Sequence, residues 1–199
     1  MSKFAIIGCG FVADLYLASF QTMPEAEIVA VYDHDAARLK TFCAHWQLTA
    51  AASREALFGM LPDDAIVLNL TNPHAHFEVS KAALEAGFHV YSEKPLAVEM
   101  EDARALHALA AERGRLLASA PCSVLSETAQ TLAAAVRKGV AGTPRLVYAE
   151  LDDGFIPQAP YAKWMSESGA PWPAEDEFRV GCTLEHAGYY LTWLMAMFG

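Results

Sequence analysis

Clustered positive charge is missing from this chain. Its 199 residues carry 14 Lys and Arg against 24 Asp and Glu, a formal net charge of −10, with no block of consecutive basic residues. Nucleic acid and anionic membrane surfaces are held by such clusters, so neither is expected as a partner. Paired cysteine spacing is missing too. Cys9, Cys43, Cys122 and Cys182 lie far apart, which argues against a zinc site or a disulfide framework and makes a reducing, cytoplasmic setting the expected one. No metal is expected. Long hydrophobic runs are also absent: the uncharged run over residues 187–199 is well short of a bilayer span. Ile6-Ile7-Gly8-Cys9 superficially looks like a lipoprotein cleavage box, but the apolar stretch between Lys3 and Gly8 is too short for a signal peptide. A soluble protein is expected. What the chain has in abundance is apolar residues, 54% of the total, enough for the core of one full domain and the beginning of another.

Phe4-Ala5-Ile6-Ile7 reads as a strand buried on both faces. Gly8-Cys9-Gly10-Phe11-Val12-Ala13 comes next, then helical spacing over residues 14–21 and a second strand over 27–32 that ends in Asp33. A glycine pattern alone is weak evidence. Flanked by a strand and a helix, with an acid about twenty residues on, it is a dinucleotide-binding signature. Gly8 permits the tight turn, Gly10 lets backbone approach a pyrophosphate, and Ala13 still allows close helix–strand packing. The amides of Phe11 and Val12 then face the phosphates. Asp33 is expected to accept the adenosine ribose hydroxyls and to repel a 2′-phosphate, which favours NAD over NADP, although Arg38 stands nearby. The competing reading is a glycine turn that serves packing alone.

The alternation continues. Residues 35–46 form an amphipathic helix, Ser53 caps a short one, and 65–70 is a buried strand ending in Thr71-Asn72-Pro73-His74-Ala75-His76. Those polar groups are expected to satisfy the turn rather than to bind metal, since no carboxylate or Cys completes a set. A helix over 77–86 stops at Gly87, and Phe88-His89-Val90-Tyr91 is the next strand. Ser92-Glu93-Lys94-Pro95 ends it abruptly, because Pro95 lacks a backbone donor. Glu93 and Lys94 therefore sit at a strand's carboxyl end, where open α/β sheets place ligands. A helix over 99–113 and a strand over 115–119 complete a doubly wound parallel sheet. Beyond it, 123–138 reads as a helix and 145–151 as a half-exposed strand. Residues 152–177 read as a long loop whose Tyr161, Trp164 and Trp172 suggest that it covers something, with a flexible surface loop as the alternative. Residues 181–198 read as an apolar helix.

The glycine turn, the Thr71-Asn72-Pro73 turn with His76, and Gly87-Phe88-His89-Val90-Tyr91-Ser92-Glu93-Lys94-Pro95 together resemble the Gfo/Idh/MocA oxidoreductases over about residues 3–120. The resemblance implies a Rossmann domain over residues 1–120 that binds NAD(H) or NADP(H), and hydride transfer at a secondary alcohol of a sugar or cyclitol. It implies that Lys94 lies beside the nicotinamide and the reacting hydroxyl, with Glu93 and Pro95 shaping the cofactor pocket alongside Thr71, Asn72 and His76.

Gly181-Cys182-Thr183-Leu184-Glu185-His186-Ala187-Gly188-Tyr189-Tyr190 is similar to the family's second motif, in which an Asp is followed four residues later by a His and three beyond by an Asp. Here those positions read as His186, Tyr190 and Trp193. His186 and Tyr190 at i and i+4 project from one helix face, so either is a candidate acid/base partner for Lys94. An ammonium nearby would favour the ionised phenol. Equally, both side chains would serve merely to line a pocket. Residues 121–199 are expected to be the truncated start of an α+β substrate domain, whose uncovered strand edge would favour association with another chain, a homo-oligomer included. The primary expectation is an NAD-dependent oxidoreductase. The alternative is a non-catalytic dinucleotide-binding sensor, or an inactive fragment of such an enzyme.

Overall fold

In the computed structural model, residues 1–150 and 154–199 are described. Five strands form one parallel sheet: β1 (Ser2–Ile7), β2 (Ala26–Tyr32), β3 (Ile66–Asn69), β4 (His89–Ser92) and β5 (Leu117–Ser119), in the order β2-β1-β3-β4-β5. Successive side chains on a strand point to opposite faces. Ala5 and Ile7 of β1 with Val67 of β3 therefore enter one apolar cluster, closed by Leu84 and Leu106. Ile6 and Leu68 enter a second, closed by Leu17 and Phe42. Both faces are thus covered, which is why the strands read as unbroken apolar runs rather than as alternating ones.

The covering helices are α1 (Ala13–Phe20), α2 (Ala36–Trp46), the short α3 (Arg54–Phe58), α4 (His76–Glu85) and α5 (Met100–Arg113). Their ends obey local chemistry. Asp35 caps α2 by accepting from the amides of Ala37 and Arg38, and Ser53 caps α3 through the amide of Ala56. Gly114, at φ 62°, ends α5. Chain order reverses between β1 and β3, so the crevice at their carboxyl ends is the topological switch point at which such sheets take ligands.

After β5 the chain forms α6 (Glu127–Arg137), α7 (Ala174–Val180) and α8 (Cys182–Phe198). Three expectations are corrected here. The helix expected over 123–138 is a 3-10 turn over Ser123–Leu125, then α6, because Ser126 in extended conformation interrupts the run and caps α6. Residues 145–150 form no strand: no neighbouring strand pairs with them, and Leu146 and Tyr148 are exposed. Leu151, like Asp152, lies outside the described residues. Finally, Glu177 belongs to α7 rather than to the loop. Glu175, Asp176 and Glu177 all occupy that helix's first turn, where they complement the dipole.

Residues 154–173, hereafter the strap, lie across the front of the fold. Asp14 of α1, only 3% exposed, anchors them. Its carboxylate accepts from Trp46 Nε1 at 2.5 Å, and from the amide and hydroxyl of Ser168 at 3.0 and 2.8 Å. Burial pushes the Asp14 pKa up, but hydrogen bonds from Ser166, Trp46 and Ser168 outweigh it and hold the carboxyl below its ordinary value. His45 of α2 meets Glu167 at 3.2 Å. Within the strap and α7, Tyr161, Trp164, Trp172 and Phe178 pack edge to face at 5.2–5.8 Å.

Candidate active site

Three turns at the carboxyl ends of β1, β3 and β4 converge. The first is the glycine turn. Gly8 has φ +103°, and a Cβ there would stand 2.6 Å from the carbonyl of Leu70 and 2.7 Å from the amide of Thr71. Only glycine fits where the turn crosses the end of β3. Gly10 differs: a Cβ there would meet no atom within 4 Å and would enter the cleft that Gly10, Phe11 and Val12 line at the start of α1. An open glycine beside a helix N-terminus suits a pyrophosphate. Asp33 braces this turn while lining the cavity beside it. Its side chain is 2% exposed; Oδ2 accepts the Cys9 amide at 2.7 Å and Oδ1 the Asp35 amide at 2.8 Å. Its first task is therefore to hold the glycine turn, leaving only its spare lone pairs for a ribose. Arg38 lies 3.7 Å from Oδ2.

The second turn is pinned by Asn69, which is fully buried. Its amide donates to the His76 carbonyl and to Ser80 Oγ, both at 2.9 Å, and its carbonyl accepts from the Thr71 hydroxyl at 2.6 Å. Asn72 donates to Asp176 of α7. His76, also fully buried, bridges the second turn to the third. One ring nitrogen lies 2.8 Å from the Thr71 carbonyl and the other 2.6 Å from the Pro95 carbonyl. Burial lowers its pKa despite those two acceptors, so the neutral ring donates to one of them. In the third turn, Glu93 accepts from Tyr16 Oη at 2.7 Å and from the Lys94 amide at 2.9 Å. Both oxygens are thereby committed to shaping the turn.

Lys94 points into the cleft and is ion-paired with Glu185 of α8. Burial works against the ammonium, but the hydrogen bond to Glu185 and the charge of Glu177 hold its pKa above the ordinary value. The Glu185 side chain is 2% exposed, and its Oε1 meets no hydrogen-bond donor among the described residues. Glu177 stands against it. Burial and hydrogen bonding to Glu185 push the Glu177 carboxyl up to about 7. A proton on Glu177 gives Glu185 a second donor beside the Lys94 ammonium.

Tyr189, not Tyr190, shares this cleft with Lys94 and His186. Burial raises the Tyr189 pKa and outweighs the Lys94 ammonium, so the phenol keeps its proton. The backbone carbonyl of Tyr189 is tied to Ser123 Oγ at 3.2 Å. Tyr190 faces away, into an outer cavity, and its pKa is raised by burial and by Glu150. The ionised phenol expected at Tyr190 is thus corrected, and Tyr189, on which the sequence reading was silent, keeps its proton too.

The cavities form a series. One of about 390 Å³ lies along Gly8, Asp33, His34, Arg38 and Arg54. It meets a second, of about 500 Å³, at Gly10, Leu70, Thr71 and Asn72. The second holds Glu93, Lys94, Glu177, Glu185, His186 and Tyr189, and the strap's Trp164 and Trp172 wall it. Among the described residues no three His, Cys, Asp or Glu side chains gather as a metal set, and no helix is long and apolar enough to cross a membrane.

The family model for Gfo/Idh/MocA proteins, described as an oxidoreductase family with an NAD-binding Rossmann fold, matches residues 2–120. The chain belongs to this family. An uncharacterized oxidoreductase of Escherichia coli K12, YdgJ, is 31% identical over 170 residues, covering 84% of this chain and 47% of the relative. The UDP-N-acetylglucosamine 3-dehydrogenase of Acidithiobacillus ferrooxidans is 29% identical over 154 residues, 77% of this chain and 46% of its own. Among solved structures, the WlbA dehydrogenase of Chromobacterium violaceum, crystallised with NADH and UDP-GlcNAcA, is similar at TM-score 0.61 and 27% identity, over 69% of this chain and 40% of that one. The chain spans about half the length of the curated relatives it matches.

Against this Gfo/Idh/MocA frame the sequence-derived residues sort clearly. Gly8, Gly10, Phe11, Val12, Thr71, Asn72, Glu93, Lys94 and His186 line the first two cavities, as do Asp33 and Arg38 at the far end. His76 and Pro95 lie behind the lining and brace it. Missed were Glu177, Glu185 and Tyr189. The signal was present: read one residue earlier, the second motif places Glu185 and Tyr189 at i and i+4, the spacing of the family's Asp and His.

Proposed function

We propose that the protein is a nicotinamide-dependent oxidoreductase that transfers a hydride between nicotinamide C4 and the secondary alcohol carbon of a sugar or cyclitol. The observation that carries this reading is the meeting, in one continuous cleft, of the glycine turn and an ammonium flanked by a carboxylate pair and a phenol. NAD is taken in preference to NADP because Asp33 stands at the adenosine end, where its charge opposes a 2′-phosphate; Arg38 offsets that charge only in part. Residues 121–199 are taken as the beginning of the substrate domain, and the cytoplasm as the compartment.

The residues fit a dinucleotide: a Cβ at Gly10 would fill the place where a pyrophosphate approaches. When bound, the nicotinamide supplies the hydride acceptor or donor. Lys94, protonated, donates a hydrogen bond to the substrate oxygen and stabilises the negative charge that grows there. In the direction of reduction, the protonated Tyr189 phenol is the acid. In the direction of oxidation the same path runs backwards: the hydroxyl proton passes to the Tyr189 oxygen as that phenol's own proton moves on to the carboxylate pair Glu185 and Glu177, the latter titrating at about 7. In reduction the pair re-protonates Tyr189. His76, held between the Thr71 and Pro95 carbonyls, braces the turn that carries Lys94.

The test pairs NADH binding, read by fluorescence, with Lys94→Ala turnover on a panel of sugars and polyols. The expected result is retained NADH binding and a loss of turnover of about 10²–10⁴-fold. Binding without any Lys94-dependent turnover would instead favour a dinucleotide sensor.

A further inference from the structure

Beyond the Lys94 cleft lies the outer cavity, of about 710 Å³, which shares Ile156, Trp172, Glu177, Glu185 and His186 with it. The two are therefore consecutive rooms along one path. Phe155, Ile156, Pro157, Trp172, Phe178 and Tyr190 supply the outer room's large apolar and aromatic walls. Its charged lining consists of Glu177 and Glu185, and no Lys or Arg lines it among the described residues. A sugar whose reacting carbon sits at Lys94 must direct the rest of its bulk here. A cavity of several hundred Å³ holds a drug-sized group, far more than a bare monosaccharide ring needs.

The wall chemistry separates candidate groups. Diphosphate is held by guanidinium, ammonium or helix N-terminal amides. The start of α8 lines this room at Gly181, Cys182 and Thr183, but Glu185 in that helix's first turn already complements its dipole and opposes a second anion. Lys94, the one cation in the adjoining cleft among the described residues, is already paired with Glu185. An aromatic or alkyl group finds Trp172, Phe178 and Tyr190 at edge or face. We propose that the outer cavity is a subsite for an uncharged aromatic or apolar substituent on the sugar, so that the substrate is a glycoside and not a nucleotide-diphosphate sugar. The identity of the sugar end rests on the oxidoreductase reading above; the subsite itself is built by the strap, α7 and α8.

The test is titration calorimetry of the full chain, with and without saturating NADH. The ligands are paired methyl and phenyl β-glycosides of glucose and of galactose, and UDP-glucose. The expected result is that at least one phenyl glycoside binds about tenfold or more tightly than its methyl partner, and UDP-glucose more weakly than either. Thr183 lines the room from an exposed position at the start of α8. Thr183→Arg should therefore improve UDP-glucose binding about tenfold while weakening the phenyl preference. Equal affinity within each methyl and phenyl pair, UDP-glucose binding as tightly as the phenyl glycosides, or no glycoside binding at all would overturn the subsite. If NADH fails to bind while the phenyl preference persists, the oxidoreductase reading falls and the subsite stands. If NADH binds and no glycoside does, the subsite falls and the oxidoreductase reading stands.

Discussion

Glu177→Gln should flatten the pH dependence of stability. In the folded protein burial and Glu185 push the Glu177 carboxyl from 4.5 to about 7. Between those values the folded chain keeps a proton that the unfolded chain has released. Stability from this group is therefore greatest below 4.5 and declines as pH rises through about 7. The full shift corresponds to about 3 kcal/mol. Glu177 reaches the cleft surface and is partly screened there, so about 1–3 kcal/mol is the working range. A glutamine cannot titrate, yet keeps a donor for the buried Glu185. The wild type should thus lose about 1–3 kcal/mol relative to Glu177→Gln between about pH 5 and about pH 8, the variant becoming the more stable protein at the upper end. Urea denaturation of both proteins across that range measures the difference, and contributions from Asp14 and the other carboxylates cancel in the comparison. Parallel stability curves would refute the Glu177–Glu185 pairing as described.

The site's geometry dictates two further outcomes. Gly8→Ala should destabilise the fold by about 2–4 kcal/mol in chemical denaturation, since it combines a left-handed φ with a Cβ driven onto the Leu70 carbonyl, whereas Gly10→Ala should fold normally and weaken NADH binding. Tyr189→Phe should lower turnover about a hundredfold with little change in KM, and Tyr190→Phe far less, as kcat and KM measured side by side would report.

The sheet was legible because β1, β3 and β4 are apolar or β-prone runs closed by a Gly, Asn or Pro signal and β2 ends at an acid, and because a doubly covered parallel sheet leaves no ambiguity of face. The turns after β1, β3 and β4 were legible for a related reason: glycine, the Thr71-Asn72-Pro73 run and Pro95 each answer to a backbone requirement that sequence displays, whereas the brace by buried Asn69, inside the strand run, was not read. The proton-handling groups were not so exposed to reading. On a helix, one residue turns a side chain by about 100°, so a one-place error in the second motif exchanged Tyr189 for Tyr190, and the cleft for the outer room. Glu177 was hidden for a different reason. Its meaning arises only where α7 meets α8, a contact no local spacing encodes. Residues 145–150 misled because alternation specifies a strand only when another strand is present to pair with it.

The anchoring of the strap by Asp14, together with the bond from Asn72 to Asp176, has an energetic consequence for any occupant of the cleft. The cleft's floor comes from the three sheet turns and its roof from residues far later in the chain, with no strand pairing between them among the described residues. Peeling the strap away then amounts to a local unfolding reaction, and a ligand touching floor and roof binds only the closed form. At a hundred times its dissociation constant, such a ligand adds about 2.7 kcal/mol to the cost of that opening. Cofactor retention and the integrity of the roof are, in this molecule, two readings of a single equilibrium.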